Sequence, residues 1–201
     1  RSVSRGLGDV YKRQVLPTVR ELLFSGREKE AEKMIADNFF TGQHGMPFQT
    51  IGSLMLEFDG HADYSDYRRE LDLEKAIASV RYKIGEVNYI RTVFTSLADN
   101  ALIVRIEADK PGAVNFTTRY STPYKEYEIK KNGKSLLLSG HGSAHEGIPG
   151  AIRFETRTQI KAEKGKVNVT SDCIEVKGAD AAVIYVTAAT NFVNYKDVSA
   201  N

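Results

Sequence analysis

The run FQTIGSLMLEFDGHADYSDYRRELDLEKAIASVRYKIGEVNYIRTVF, from Phe48 to Phe94, carries the clearest structural pattern in this chain. Within it, the apolar residues Leu54, Leu56 and Phe58 recur at every second position. Side chains of a β-strand point alternately to opposite faces, so this period predicts strands with one buried face. Polar loops separate the successive runs, which therefore indicate a series of short antiparallel strands.

The strand pattern continues through the rest of the chain. Leu102 to Ile106 is rich in β-branched residues, which favour strands. Asn132-Gly133 predicts a hairpin with a type I′ turn, because that turn needs positive φ at both central residues. Lys164-Gly165 predicts a second turn. About a dozen short strands without interleaved helices favour a mainly β fold, a large antiparallel β-sandwich.

One helical region precedes the strands. From Val15 to Phe40 the apolar residues recur at spacings of three and four, which is the helical period. Pro17 suits the first turn of a helix, where its missing N–H is not needed. Gly26 is predicted to split the region into two short helices.

The first residues, Arg1 to Gln14, differ in character from the rest of the chain. They show no apolar period, and Asp9 to Gln14 resembles the translation of an adapter used in sequencing libraries. We expect 1–14 to be a non-native leader and 15–201 to be the domain proper; a native disordered leader is the alternative. Without the leader, 24 basic and 25 acidic residues remain, and the formal net charge moves from +2 to −1.

Composition and charge argue against several classes of function. A body with almost balanced charge gives no support for a nucleic-acid or membrane-surface partner. No stretch is apolar for long enough to predict a membrane span. Cys173 is the only cysteine, so neither an intrachain disulfide nor a thiolate metal cluster is possible. No cofactor and no metal site is predicted.

Five blocks of this chain, in this order, resemble the amino-terminal domain of glycoside hydrolase family 95, the inverting α-L-fucosidases. The resemblance covers about Val15 to Asn201. The blocks are 48–54, 67–73, 108–112, 145–150 and 188–192.

The resemblance implies a super-sandwich fold and an incomplete copy of the amino-terminal domain. Family members begin with a Gly-Asn-Gly-Arg-type and an Asn-Glu-Asp-Thr-Leu-Trp-type segment, neither of which occurs here. Their catalytic groups lie in a following α/α barrel, so no catalytic residue can be assigned in this chain. The barrel of the same polypeptide is then a partner, the substrate of the parent is a fucosylated glycan, and the parent is exported. The domain itself is expected to be structural or to frame the substrate; a freestanding carbohydrate-binding module is the alternative.

His141, His145 and Glu146 form the most site-like cluster in the sequence. Two imidazoles and a carboxylate are groups that bind zinc or transfer protons. A spacing of four aligns ligands only on a helix, however, and the surrounding glycines predict a loop. A structural loop, a glycan contact and a metal site remain the three interpretations, of which the loop is preferred.

Tyrosines and acidic residues supply two further candidate surfaces. Tyr64 and Tyr67 are candidates for contact with a glycan or another domain, because aromatic faces bind the apolar faces of sugars; half-buried strand positions favour tyrosine equally. The same stacking hypothesis extends to Tyr120, Tyr124 and Tyr127. An acidic patch comprises Asp63, Asp66, Glu70, Asp72 and Glu74. Two carboxyl groups could act as the acid and base of a glycosidase, but Arg68 and Arg69 are expected to neutralise Glu70 and Asp72, so a charged strand surface is preferred. His44 and His61 are predicted to face solvent.

Overall fold

A computed structural model describes residues 3–39 and 46–198 of the chain. The polypeptide divides into two compact units, one formed by Arg1–Phe48 with His145–Ile148 and the other by Gln49–Ala144 with Pro149–Asn201. The first contains both helices and the second contains the strands. Among the described residues, no helix combines the length and apolar character that a bilayer span requires. His44 lies outside the described residues.

Two helices form the first unit, α1 (Val3–Phe24) and α2 (Glu28–Phe39). They pack through the buried side chains of Val19, Leu22 and Ala31. Between them, Gly26 has a φ of 73°. The N–H of Gly26 donates a hydrogen bond to the carbonyl of Leu23, and the N–H of Arg27 donates one to the carbonyl of Leu22. This is a Schellman motif, so the predicted break at Gly26 is confirmed.

The start of α1 differs from the prediction. The helix begins at Val3, whereas the helical region was predicted to begin at Val15, and Pro17 lies inside the helix rather than in its first turn. Once a helix has formed, each added residue loses backbone freedom but gains one hydrogen bond. A helix whose later turns are packed can therefore extend backwards through a segment with no apolar period. Pro17 still lacks an N–H and cannot complete the ladder at that position.

Twelve strands within the described residues form the second unit. Their bounds are β1 (Ser53–Glu57), β2 (Tyr64–Asp72), β3 (Ile77–Ile84), β4 (Val87–Ser96), β5 (Ala101–Ala108), β6 (Val114–Ser121), β7 (Tyr127–Asn132), β8 (Ser135–His141), β9 (Arg153–Glu163), β10 (Lys166–Val169), β11 (Cys173–Ala179) and β12 (Ala181–Thr190). They build a four-stranded sheet of order β1-β6-β11-β10 and an eight-stranded sheet of order β2-β3-β4-β5-β12-β9-β8-β7, with antiparallel neighbours throughout. The predicted mainly β sandwich is confirmed.

The core of this unit comes from the alternating positions of both sheets. Leu54, Leu56 and Phe58 pack against it, as their spacing predicted. The fully buried side chains include Ile106, Leu136, Leu138, Ile174 and Ile184. At one edge of the larger sheet, eight of the nine residues of β2 are exposed. The smaller sheet therefore leaves this edge uncovered on both faces.

The two predicted turns differ in their details. β7 and β8 form the predicted hairpin, but Asn132 pairs with Ser135, so the central residues are Gly133 and Lys134. Of these only Gly133 has a positive φ, 60°, which is the pattern of a type II′ turn and corrects the type I′ prediction. Both Lys164 and Gly165 have positive φ, at 57° and 64°. Their turn leads from β9 in the larger sheet to β10 in the smaller one.

Candidate functional site

An aromatic cavity at the β2 edge of the larger sheet contains two of the residues that the sequence singled out, Tyr64 and Tyr67. Its volume is about 440 Å³, within the range of small-molecule sites. The residues that line it are Phe58, His61, Ala62, Tyr64, Tyr67, Val80, Tyr82 and Arg91. We call this the aromatic cavity.

Strand register places these side chains together. Val80 of β3 lies opposite Arg91 of β4, and Tyr82 lies opposite Tyr89. A β-bulge in β2 shifts the register between Ser65 and Arg68. Within the bulge, Asp66 has a φ of 52°, a conformation that aspartate adopts more readily than most residues. Bulges re-aim side chains, and this one lies beside Tyr64 and Tyr67.

The aromatic rings of the cavity contact one another closely. The ring centroids of Tyr64 and Tyr67 are 5.3 Å apart. Tyr82 stacks on Tyr89 at 5.3 Å with an angle of 12° between the rings. Tyr64 and Tyr67 keep 56% and 48% of their surface exposed. They therefore present ring surface that a ligand can reach.

His61 is less exposed than the sequence predicted. It is half-buried, its Nδ1 lies 2.9 Å from the hydroxyl oxygen of Tyr82, and its ring lies 4.6 Å from that of Tyr89. Burial lowers its pKa, and the positive charge of Arg91 lowers it further. The polar loop around His61 suggested exposure, whereas aromatic residues from other strands enclose it.

We expect acidification to destabilise the fold through His61. Its folded-state pKa lies below the ordinary value of 6.5, so below that pH the unfolded chain binds the proton more readily. The stabilising contribution is complete above the ordinary pKa and is lost as pH falls toward the lowered one. In urea unfolding over a pH series, His61→Phe should therefore show a smaller loss of unfolding free energy on acidification than the parent chain. Equal losses in the two proteins would contradict this assignment.

Arg91 lines the same cavity, and none of the other lining residues is acidic. The guanidinium carbon lies 5.0 Å from the ring centroid of Phe58. Its Nε is buried and has no hydrogen-bond partner. Sequence reasoning did not select Arg91 as a site residue. The available signal was its place in the alternation Tyr89, Arg91, Val93, where a cation falls on an otherwise apolar strand face.

Comparisons with known proteins give the family. The sequence profile described as "Glycosyl hydrolase family 65, N-terminal domain" matches residues 4–195. The chain belongs to this family. It is 29% identical over 204 residues to "Alpha-L-fucosidase 2" of Arabidopsis thaliana, covering 89% of this chain and 24% of that protein. It is 27% identical over 203 residues to "Probable alpha-fucosidase A" of Aspergillus niger, covering 98% of this chain and 24% of that protein.

This glycosyl hydrolase amino-terminal domain thus spans about a quarter of the length of the curated relatives it matches. The predicted resemblance to the amino-terminal domain of α-L-fucosidases is confirmed. A solved structure titled "Putative kojibiose phosphorylase from human microbiome" aligns with a TM-score of 0.45 at 12% identity, covering 64% of this chain and 20% of that one.

The histidine cluster of this glycosyl hydrolase domain is divided between the two units. In the second unit, His141 ends β8, and its Nε2 lies 2.5 Å from Glu126 Oε2. The Gly142 carbonyl, at 3.1 Å from Nδ1, raises the pKa of His141, and Glu126 raises it further. The pair is at the surface, where ion pairs contribute little to stability.

In the first unit, His145 and Glu146 belong to a tight turn. His145 forms an isolated antiparallel bridge with Ile148, and its Nε2 lies 3.8 Å from Glu146 Oε1. Glu146 and Gly147 have positive φ values of 49° and 79°. This segment therefore forms a turn, as the surrounding glycines predicted, and its role stays a prediction. Within residues 3–39 and 46–198, no three His, Cys, Asp or Glu side chains are placed to hold a metal ion.

The acidic patch of the domain is a charged surface with local partners. Arg68 lies 3.1 Å from Glu70, as predicted. Asp72 pairs with Lys75 at 3.2 Å rather than with an arginine. The pKa of Asp72 is lowered by the backbone N–H of Lys75 and then by its side chain. The tight turn that follows β2 brings Lys75 back to Asp72, and Lys75 is therefore closer to this carboxylate than Arg68 or Arg69.

The five tyrosines of the stacking hypothesis do not form one platform. Tyr64 and Tyr67 line the aromatic cavity. Tyr120 and Tyr124 are buried in the core, where the Tyr120 hydroxyl lies 2.6 Å from Thr158 Oγ1. Tyr127 is half exposed on the opposite edge strand, β7. The ordinary strand interpretation therefore holds for Tyr120 of β6, whereas Tyr124 is buried in the loop between β6 and β7.

Proposed function

We propose that this chain is part of an α-L-fucosidase that hydrolyses terminal α-L-fucosyl linkages with inversion. Membership of the amino-terminal domain family, together with two relatives named as α-fucosidases, carries this proposal. The general acid and base lie in an α/α barrel of the same polypeptide. The substrate of the whole protein is a fucosylated glycan, and this domain supports the barrel or frames the substrate without catalysing the reaction.

The carboxylates of the second unit support a non-catalytic role. An inverting glycosidase needs two carboxyl groups about 6.5–9.5 Å apart, one of them with a raised pKa. One cavity contains four carboxylates and is lined by Asn88, Ile90, Arg105, Glu107, Ala108, Asp109, Glu163, Asp180 and Ala181. There, Arg105 pairs with both glutamates at 3.0 and 2.8 Å. Lys164 and the Gly112 N–H lower the pKa of Asp180, and the Asn88 side chain lowers that of Asp109.

We expect no fucosidase turnover from this chain alone. The pKa values of Asp109 and Asp180 are lowered, whereas a general acid needs a raised one, and both glutamates of the cavity are paired with Arg105. The measurement is release of the aryl group from an aryl α-L-fucoside. A polypeptide in which a barrel follows this domain is assayed in parallel as the positive control. Turnover that persists through purification and disappears in Asp180→Asn, Asp72→Asn or Glu146→Gln would place catalysis in this domain.

A freestanding carbohydrate-binding module is the second candidate, and the aromatic cavity favours it. Two half-exposed tyrosine rings at the entrance of a concave site are suited to the apolar face of a sugar. The two candidates differ in what the isolated chain does. A binding module retains glycan affinity by itself, whereas a purely supporting domain shows none.

A further inference from the structure

Arg91, which is half-buried, has no carboxylate in ion-pair distance within the described residues, unlike Arg105 and Arg119. Arg105 contacts two glutamates, and Arg119 contacts one glutamate and one aspartate. The lining of the aromatic cavity contains no acidic residue, and Arg91 Nε is buried without a hydrogen-bond partner. The described part of the chain therefore leaves a positive charge inside a cavity with aromatic walls.

Such a charge is costly unless something compensates it. Removing a cation from water is unfavourable in the absence of an opposing charge or hydrogen bonds. The ring of Phe58, 5.0 Å from the guanidinium carbon, and a side-chain hydrogen bond with Tyr82 offset part of this cost, while Nε stays without a partner. The planar fork of a guanidinium matches a carboxylate through two parallel hydrogen bonds, which a lysine ammonium does not reproduce. Arg91 thus has the chemistry to recognise a carboxylate on a ligand.

The remaining walls suit a ring with apolar faces. Tyr64 and Tyr67 present half-exposed rings at the entrance, and Tyr82, stacked on Tyr89, forms a rigid inner wall. His61 is held by the Tyr82 hydroxyl and carries a lowered pKa, so near neutral pH it adds no second cation. The cavity therefore combines aromatic surface with one cation.

We propose that the aromatic cavity binds a pyranose that carries a carboxylate, such as a hexuronic acid residue. The carboxylate pairs with Arg91, and the ring lies against Tyr64 and Tyr67. This inference rests on the carbohydrate-binding role proposed above and adds the charge of the ligand. A free monosaccharide and the terminal residue of an oligosaccharide share this chemistry, and titration with each separates them.

The test is calorimetric titration of the full chain with D-glucuronate and D-glucose, which differ only in the oxidised hydroxymethyl group. We expect glucuronate to bind roughly tenfold or more tightly than glucose, which corresponds to one net charge-assisted contact. Added salt should weaken the binding of glucuronate alone. Arg91→Gln should abolish the preference, and Arg91→Lys should restore only part of it.

Arg81→Gln is the matched control, because Arg81 is exposed on the opposite face of β3 and its loss removes the same charge. It should leave glucuronate affinity within about twofold. Thermal unfolding checks that each variant is folded. If Arg91→Gln is not, Tyr67→Ala, at a 48% exposed position, should still weaken glucuronate binding severalfold in a folded chain.

The possible failures are distinguishable. Equal affinity for glucose and glucuronate would overturn the carboxylate assignment and leave the carbohydrate-binding role intact. No binding of either sugar would contradict both. Binding of a glutamate-rich peptide in place of glucuronate, lost in Arg91→Gln, would assign the cavity to a polypeptide carboxylate and overturn the sugar proposal. None of these results bears on the fucosidase assignment of the whole protein, which the aryl fucoside assay tests separately.

Discussion

Leu138→Ala is expected to reduce the free energy of unfolding by about 3 kcal/mol or more. Leu138 has no exposed surface and lies in the core cluster between the two sheets. Truncation to alanine removes buried apolar surface and leaves a cavity that strands fixed by their ladders cannot close. Urea unfolding followed by circular dichroism measures the change.

Leu97→Ala is the matched control, because it makes the same chemical change at a residue that is 94% exposed. Its effect should stay within about 0.5 kcal/mol, as for other surface substitutions away from special features. A similar loss of stability in both variants would show that Leu138 does not lie in a packed core. A loss only in Leu138→Ala supports the sandwich as described.

Gly165→Ala is the second substitution for which we expect a large effect. A Cβ atom at this position would lie 2.5 Å from the carbonyl oxygen of Lys177 and 2.6 Å from the backbone nitrogen of Ala179. Real Cβ atoms do not approach backbone this closely, so β11 would have to move away from the turn. The φ of 64° adds a conformational cost that alanine meets and glycine does not. We expect a loss of about 2–4 kcal/mol, in the range of strained or overpacked substitutions.

Gly133→Ala separates the two contributions. Gly133 has nearly the same φ, 60°, but a Cβ atom there meets no other atom within 4 Å. Its replacement should cost about 1 kcal/mol, from the backbone conformation alone. Thermal and urea unfolding of the two variants side by side measure the difference. If Gly133→Ala is as destabilising as Gly165→Ala, then close packing of β11 against the Lys164-Gly165 turn is not the cause.

Local sequence patterns predicted most of the elements of the second unit. The alternation of Leu54, Leu56 and Phe58 predicted both the strand and its buried face. Lys164-Gly165 predicted a turn, and both residues have positive φ. These predictions succeed because strand alternation and turn conformation depend on neighbouring residues. The sequence of the turn did not show which sheet β10 joins. Whether β10 pairs with β9 or with β11 depends on residues far away in the chain.

The candidate site was predicted only in part, for the same reason. Tyr64 and Tyr67 were named, but so were Tyr120 and Tyr124, which are buried in the core. Three of them lie in strands and Tyr124 lies in the loop between β6 and β7, and no local feature shows which of the four the rest of the fold buries. His61 was expected to face solvent because its own neighbours are polar.

The sequence by itself determined the class of fold, the family resemblance and the faces of individual strands, because periodicity and turn chemistry act over a few residues. Tertiary structure alone decided that His61, Tyr82 and Arg91 would meet in one cavity. Their proximity follows from the pairing of β3 with β4 and from the loop before β2, which carries His61. Burial, shifted pKa values and an unpaired charge all depend on distances across strands, and those exist only once the sheets have formed.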